Sequence, residues 1–206
     1  MSKDPDIKPR KSPRQRRSQI TVDAILEAAA RILQGEPREN FTTNRIAEVA
    51  GVSVGSLYQY FPNKQALLIA VAQRWGRSSI DKLRQASDLL AAFPAEQIIE
   101  QLVDRLFAEI NASSQLYREL VREVLAMGLT FLPEIRKAMI AMVADVLRRH
   151  ADEIIPDDPE TAAFTLVVIT ATLIQSAVLY EQDLIESGRL QVQLTALLKR
   201  YLVATP

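Results

Sequence analysis

The sequence predicts an all-α protein, and three observations carry that expectation. From about Ser18 onward, almost every stretch repeats its apolar residues at helical spacing. No stretch shows convincing two-residue alternation or a hairpin turn signal. Glycine and proline punctuate the periodic stretches, as they do between helices.

The elements follow in order. Residues 1–17 contain Pro5, Pro9, Pro13 and six basic residues between Lys8 and Arg17, a composition that cannot bury a core. A flexible basic arm is expected there. A first helix runs from Ser18 or Thr21 to Gln34, with Ile25, Ala28, Ala29, Ile32 and Leu33 on its apolar face; Gly35 and Pro37 end it. A second spans Thr43 to Ala50, with Thr42 or Thr43 as its cap and Gly51 as its stop. A third covers VSVGSLYQYF, residues 52–61. Pro62 cuts it, and Asn63 caps a fourth helix from Lys64 to about Trp75. Further helices are expected near 76–91, 95–111, 113–128, 133–151, 159–182 and 187–203. Asp158-Pro159-Glu160 combines a cap, a first-turn proline and an acid on the helix dipole. Gly188 is a weak break between the last two helices. The expected organisation is an arm (1–17), a first domain of four helices (18–75), and a larger helical domain (76–206).

Composition narrows the function classes. The chain has 206 residues, nearly half of them apolar, and no cysteine. A disulfide framework and thiolate metal sites are excluded, which fits a reducing cytoplasm. The polar N-terminus has no apolar signal region, so a cytoplasmic location is expected. Net charge is zero, yet residues 1–75 hold 12 basic against 7 acidic residues, and residues 76–206 hold 13 against 18. A neutral chain with a basic front suggests a local polyanion site, although a solvated tail has the same composition. Residues 161–180 carry no charge and approach the length of a membrane span. Thr165, Thr170, Thr172, Gln175 and Ser176 interrupt that stretch, and no basic residues flank it. It reads instead as a helix buried on every side, partly by a second copy of the chain.

The stretch at 43–61 carries the functional signal. At 100° per residue, Leu57 and Phe61 share a core face flanked by Ser53, Val54 and Tyr60. Gly55 and Gln59 point away, with Ser56 and Tyr58 at the edges, so the outward face is small, polar and uncharged. Ala47, Gly51 and Leu57 stand at spacings of four and six. Two crossing helices need a small residue at the crossing, a glycine in the turn and an apolar anchor on the second helix. This spacing is that of a helix-turn-helix.

Here the sequence closely resembles the tetracycline-repressor (TetR) family of one-component transcription regulators. The resemblance rests on ILEAAARIL and FTTNRIAEVAGVSVGSLYQYFPNKQALL. It implies three N-terminal helices that bind DNA and a fourth that links them to a ligand domain. Thr43 and Asn44 match positions that contact the DNA backbone and nearby bases. Val54, Gly55, Ser56 and Gln59 occupy recognition-helix positions that reach base edges. Tyr58 and Tyr60 match aromatic positions that meet phosphates, and Lys64 matches a phosphate-binding lysine. The chemistry agrees: helix N-termini and hydroxyls suit phosphate, Gln59 can pair with adenine, and Val54 can touch a thymine methyl. No arginine lies on this face, so DNA shape is expected to contribute strongly. Arg14, Arg16 and Arg17 are expected near an adjacent groove. Singly, Tyr58 and Tyr60 read as packing aromatics and Lys64 as a solvated charge; only the combination points to DNA.

The remainder reads as an effector and dimerisation domain. Broad apolar faces on 159–182 (Phe164, Val167, Val168, Ala171, Ile174, Val178) and 187–203 (Leu190, Leu194, Leu197, Leu198, Tyr201) match helices that the family packs against a mate. A homodimer reading a palindromic double-stranded operator is therefore expected. Candidate effector contacts are Trp75, Phe93, Phe107, Tyr117, Met127, Phe131, Met139, Met142 and Phe164, although a methionine or aromatic at helical spacing is more often plain core. His150, the single histidine, is expected to be exposed at a helix C-terminus. No catalytic triad, metal cluster or phosphate loop is apparent, so neither enzymatic activity nor a cofactor is expected. The resulting expectation is a ligand-responsive repressor released by a small organic effector. The alternatives are a constitutive or architectural DNA-binding protein and an all-α binding or enzymatic module.

Overall fold

The computed structural model describes residues 16–128 and 132–203. Ten α-helices occur among them: α1 (Arg16–Gly35), α2 (Thr43–Ala50), α3 (Val54–Tyr60), α4 (Lys64–Leu89), α5 (Ala95–Ala112), α6 (Ser114–Ala126), α7 (Pro133–Arg149), α8 (Pro159–Tyr180), α9 (Gln182–Glu186) and α10 (Arg189–Leu202). Short 3-10 turns lie at Arg38–Asn40 and Ala151–Glu153. No strand occurs among the described residues.

The chain forms two compact units. In the first, residues 16–75 pack with residues 115–124 of α6. Its core is made by Ile25, Ala29 and Ile32 of α1, Phe41, Ile46 of α2, Leu57 of α3, Phe61 and Leu67. These are the apolar positions of the helical periods, and burying each large side chain stabilises by roughly 1.5–3 kcal/mol. α6 is tied in by polar contacts. The Gln34 side-chain oxygen accepts from the Leu116 N–H at 3.1 Å, and the Gln115 amide donates to the Glu36 carbonyl at 3.2 Å. Arg38 reaches Glu119 and Glu123.

In the second unit, residues 76–114 and 125–206, α7 packs along α8, and α10 packs along α5. Phe107 and Ile110 of α5, Met142 and Leu147 of α7, Ala163 and Ile174 of α8, and Leu194 of α10 are buried. Asp158 caps α8 by accepting from the N–H groups of Glu160 and Thr161 at 3.1 Å each. Proline follows in the first turn, as the cap-proline-acid signal predicts.

Several boundaries differ from expectation. The break near Trp75 is absent, because α4 runs unbroken from Lys64 to Leu89. Gly76 is not a stop. A β-carbon there would lie 3.0–3.2 Å from the Ile135 side chain, so the glycine admits α7 close to α4. α1 begins at Arg16, ahead of Ser18. α6 ends at Ala126, before Gly128 at φ 74°. The helix expected to reach residue 151 stops at Arg149, and a 3-10 turn follows. The last expected pair is three helices: α8 stops at Tyr180, α9 is a five-residue insert, and Gly188 turns the chain into α10 with φ 71°.

α8 alone among the described helices is long and apolar enough to cross a membrane. It is not buried on every side within one chain. Ala162, Leu166, Ile174 and Val178 face inward, while Phe164 is 49% exposed, and Val168, Ile169, Leu173 and Tyr180 are exposed too. On α10, Val192 (66%), Leu197 and Tyr201 are exposed.

Candidate nucleic-acid interface

The candidate interface is built from α2, the turn after it, α3 and the first turn of α4. Thr42 caps α2 by accepting from the Arg45 N–H at 3.2 Å. Gly51 ends it in the left-handed region, φ 66° and ψ 31°, with its N–H directed at the Ala47 and Glu48 carbonyls. Val52 N–H then bonds the Ala47 carbonyl at 3.0 Å, which closes the turn. No atom would crowd a β-carbon at Gly51, so backbone conformation alone selects the glycine there. Ser53 caps α3 by accepting from the Ser56 N–H at 3.0 Å. Ala47 and Leu57 are fully buried, at the crossing and anchor positions.

With the anchor inside, the opposite face of α3 is outside. Gly55, Tyr58 and Gln59 are exposed; Val54, expected beside the core, is 36% exposed; Ser56 and Tyr60 are half-buried. The Tyr58 and Thr43 hydroxyls lie 3.2 Å apart, which holds the ring against the start of α2, and Asn44 beside it is exposed. Gly55 has free space: a β-carbon there would meet only Ser53 Oγ, at 3.8 Å. Nothing inside the unit requires a glycine at that position. At the start of α4, Asn63 accepts from the Ala66 N–H at 2.8 Å. Lys64 is exposed, with its ammonium 5.0 Å from the centre of the buried Phe41 ring.

Charge on this surface is sparse. Residues 18–75 hold five basic and five acidic residues, so the entire basic surplus of the first 75 residues belongs to residues 1–17. Arg38, Arg45 and Arg74 are ion-paired. The Glu36 side chain holds the Arg45 guanidinium in place, and that hydrogen bond lowers the Glu36 carboxyl below its ordinary value. Arg31 and Lys64 form no ion pair among the described residues. Arg14 lies outside the described residues; Arg16 and Arg17 begin α1.

The model for bacterial regulatory proteins of the tetR family matches residues 25–71, and the tetracyclin repressor-like C-terminal domain matches residues 94–202. The chain belongs to the TetR family of transcriptional regulators. This TetR-family chain is 30% identical over 95 residues to an uncharacterized HTH-type transcriptional regulator of Mycobacterium tuberculosis, covering 44% of this chain and 45% of that one. It is 38% identical over 72 residues to a nucleoid occlusion factor of Actinobacillus pleuropneumoniae, covering 34% and 33%. The chain thus spans less than half the length of these curated relatives. Among solved structures, a TetR-family regulator from Pectobacterium atrosepticum superposes with TM-score 0.70 at 18% identity, over 94% of this chain and all of that one. Thermus thermophilus FadR, a TetR-family repressor in complex with lauroyl-CoA, superposes with TM-score 0.64 at 21% identity, over 90% and 97%. At these identities the likeness is one of fold.

The candidate effector residues of this TetR-family chain scatter. Trp75 and Tyr117 meet in the first unit, ring centres 4.9 Å apart at 37°. Burial holds the Tyr117 phenol well above its ordinary pKa. In the second unit, Phe107 and Met142 are buried, Met127 and Met139 are half-buried, and Phe93 and Phe164 are exposed. Phe131 lies outside the described residues. The second unit has a cleft of about 430 Å³ lined by Met142 and the charged Arg84, Asp88, Asp145, Arg148 and Arg149. Of the candidates, only Met142 lines it. His150 is buried rather than exposed. Its Nδ1 lies 2.9 Å from Glu153, whose other oxygen accepts from the Ala95 N–H at 2.7 Å. The histidine therefore joins the end of α7 to the start of α5. The local sequence gives no signal of this, because the residue capping α5 is 58 positions away.

Proposed function

We propose that this regulator is a repressor that binds a palindromic DNA operator as a homodimer and is released by a small organic effector. The observation that carries the reading is the outer face of α3. Gly55, Tyr58 and Gln59 are exposed on a helix whose cap, turn and anchor are all made inside the unit. In this reading Gly55 lets backbone approach a groove, Gln59 reads a base edge, Thr43 and Asn44 meet the DNA backbone and nearby bases, and Tyr58, Tyr60 and Lys64 meet phosphates. Val54 and Ser56 complete the reading face. Residues 18–75 are the DNA-binding domain with its linking helix in this reading; residues 76–206 hold the mate and, with Trp75 at their border, the effector.

The exposed apolar rows of α8 and α10 support pairing between two copies. Such rows mark contact surfaces when they are contiguous. A two-fold dimer sets its recognition helices about 34–36 Å apart, one turn of DNA. An effector acts only through its different affinity for two states. Unbroken α4 suits the role of a lever between them. The protein works in the cytoplasm on double-stranded DNA, and no residue has a catalytic role.

The test is a pair of substitutions measured on specific and random duplexes across a salt series. Lys64→Ala is expected to weaken binding to every sequence and reduce the salt slope by about one unit. Gln59→Ala is expected to relax base preference chiefly at one position. Equal loss on every sequence from Gln59→Ala contradicts the base-reading role.

A further inference from the structure

We infer that Trp75 and Arg118 form the polar end of the effector site, and that the effector is an organic monocarboxylate. The inference rests on the ligand-responsive reading above and names the ligand's chemical class. Two N–H donors of the first unit are buried without a hydrogen-bond partner: Nε1 of the Trp75 indole and Nε of the Arg118 guanidinium. Buried donors are rarely left so, because an unpaired one keeps its full desolvation penalty. Neither group can accept a hydrogen bond, so the matching partner is an acceptor.

The two donors come from helices that touch. The Trp75 ring lies against Tyr117, and Arg118 is the next residue on α6. Arg118 is half-buried and has no ion pair among the described residues. The acids beside it on α6 are already engaged: Glu119 by Arg38 and Arg122, and Glu123 by Arg38. A half-buried guanidinium with no counter-charge is unfavourable, and an oxyanion removes that penalty. The charge sets the class. One uncompensated cation matches one negative charge, whereas Glu119 and Glu123 disfavour a dianion such as phosphate. The tilted Trp75 and Tyr117 rings offer an apolar surface to the ligand body.

Trp75 is the single tryptophan of the chain, so its fluorescence reports this site without labelling. The test titrates the full-length protein with benzoate, phenylacetate, hexanoate and decanoate, with their neutral amides, and with inorganic phosphate. At least one acid is expected to shift Trp75 emission saturably, while its amide and phosphate do not. Arg118→Gln is expected to weaken that acid by roughly 10–100-fold, the loss of a charged hydrogen bond. Trp75→Phe, followed by calorimetry, is expected to weaken it by roughly tenfold. Three results overturn the inference: no acid acting at millimolar concentration, amides acting as well as acids, or Arg118→Gln binding the acid at full strength. The first means that buried water satisfies both donors. DNA binding by the same preparation separates the two levels. Selective DNA binding with no acid response removes this inference alone. Absence of DNA binding removes the regulator reading, and the acid titration still decides this one.

Discussion

α3 and α8 partition their apolar side chains in opposite ways. On α3 the apolar anchor, Leu57, is fully buried, and the outer face presents Gly55, Tyr58 and Gln59. On α8 apolar residues lie on both sides: Ala163 and Ile174 inward, Phe164, Ile169, Leu173 and Tyr180 outward. Water tolerates the first surface and penalises the second. A small polar face suits a hydrated, charged partner such as a DNA groove, and a face rich in large apolar side chains suits protein. Under the proposed function the two helices serve different recognition events, and each can be disturbed alone.

The largest effect tests the buried side of that contrast. Leu57→Ala is expected to cost about 2–5 kcal/mol in chemical denaturation, because it hollows the anchor between α2 and α3. Replacing both Phe164 and Leu173 by glutamate is expected to leave the fold intact and turn a dimer into a monomer in sedimentation. A monomer in the unsubstituted protein would remove the contrast altogether.

Electrostatics provides the next effect. Residues 18–75 are charge-balanced, and among them only Arg31 and Lys64 form no ion pair with described residues, so most of the cations left for phosphate lie in residues 1–17. Replacing Lys8, Arg10, Lys11 and Arg14 by glutamine is expected to lower the slope of log affinity against log salt by about 3–4 units. An unchanged slope would place the phosphate contacts on the folded unit alone.

Gly55→Ala sharpens the comparison further. A β-carbon there has room, so helix propensity favours the variant by up to about 1 kcal/mol of stability. DNA affinity is expected to fall roughly tenfold, about 1.4 kcal/mol. A gain in stability without loss of binding would show that no groove approaches Gly55.

The smallest effect concerns pH. The Arg45 hydrogen bond holds the Glu36 carboxyl below its ordinary value. Its contribution to stability is present above the carboxyl's unfolded pKa and lost as pH falls through the lower folded one. Glu36→Gln is expected to flatten the acid limb of a stability profile slightly, since water still screens the half-buried pair.

The first region was largely legible because its signals are local. The Thr42 and Ser53 caps, the left-handed Gly51 and the spacing of Ala47 and Leu57 all lie within a few residues of what they control. The second was less so because its determinants are distant in sequence. Gly76 reads as a break until Ile135 is seen against it. His150 reads as an exposed residue until it is found buried against Glu153, which in turn accepts from the Ala95 N–H. Methionines and aromatics on amphipathic helices look alike whether they fill a core or face a ligand. Only the structure separates buried Met142 from exposed Phe164. The ion pairing that removes Arg45 from the cations free for DNA also depends on folding.

The most direct measurement is selection of bound duplexes from a random DNA library at near-physiological salt, read by sequencing. A dimeric reader predicts an enriched palindrome with half-sites about one helical turn apart. Salt-sensitive binding to every sequence without enrichment would contradict sequence reading by α3 and leave only backbone attraction.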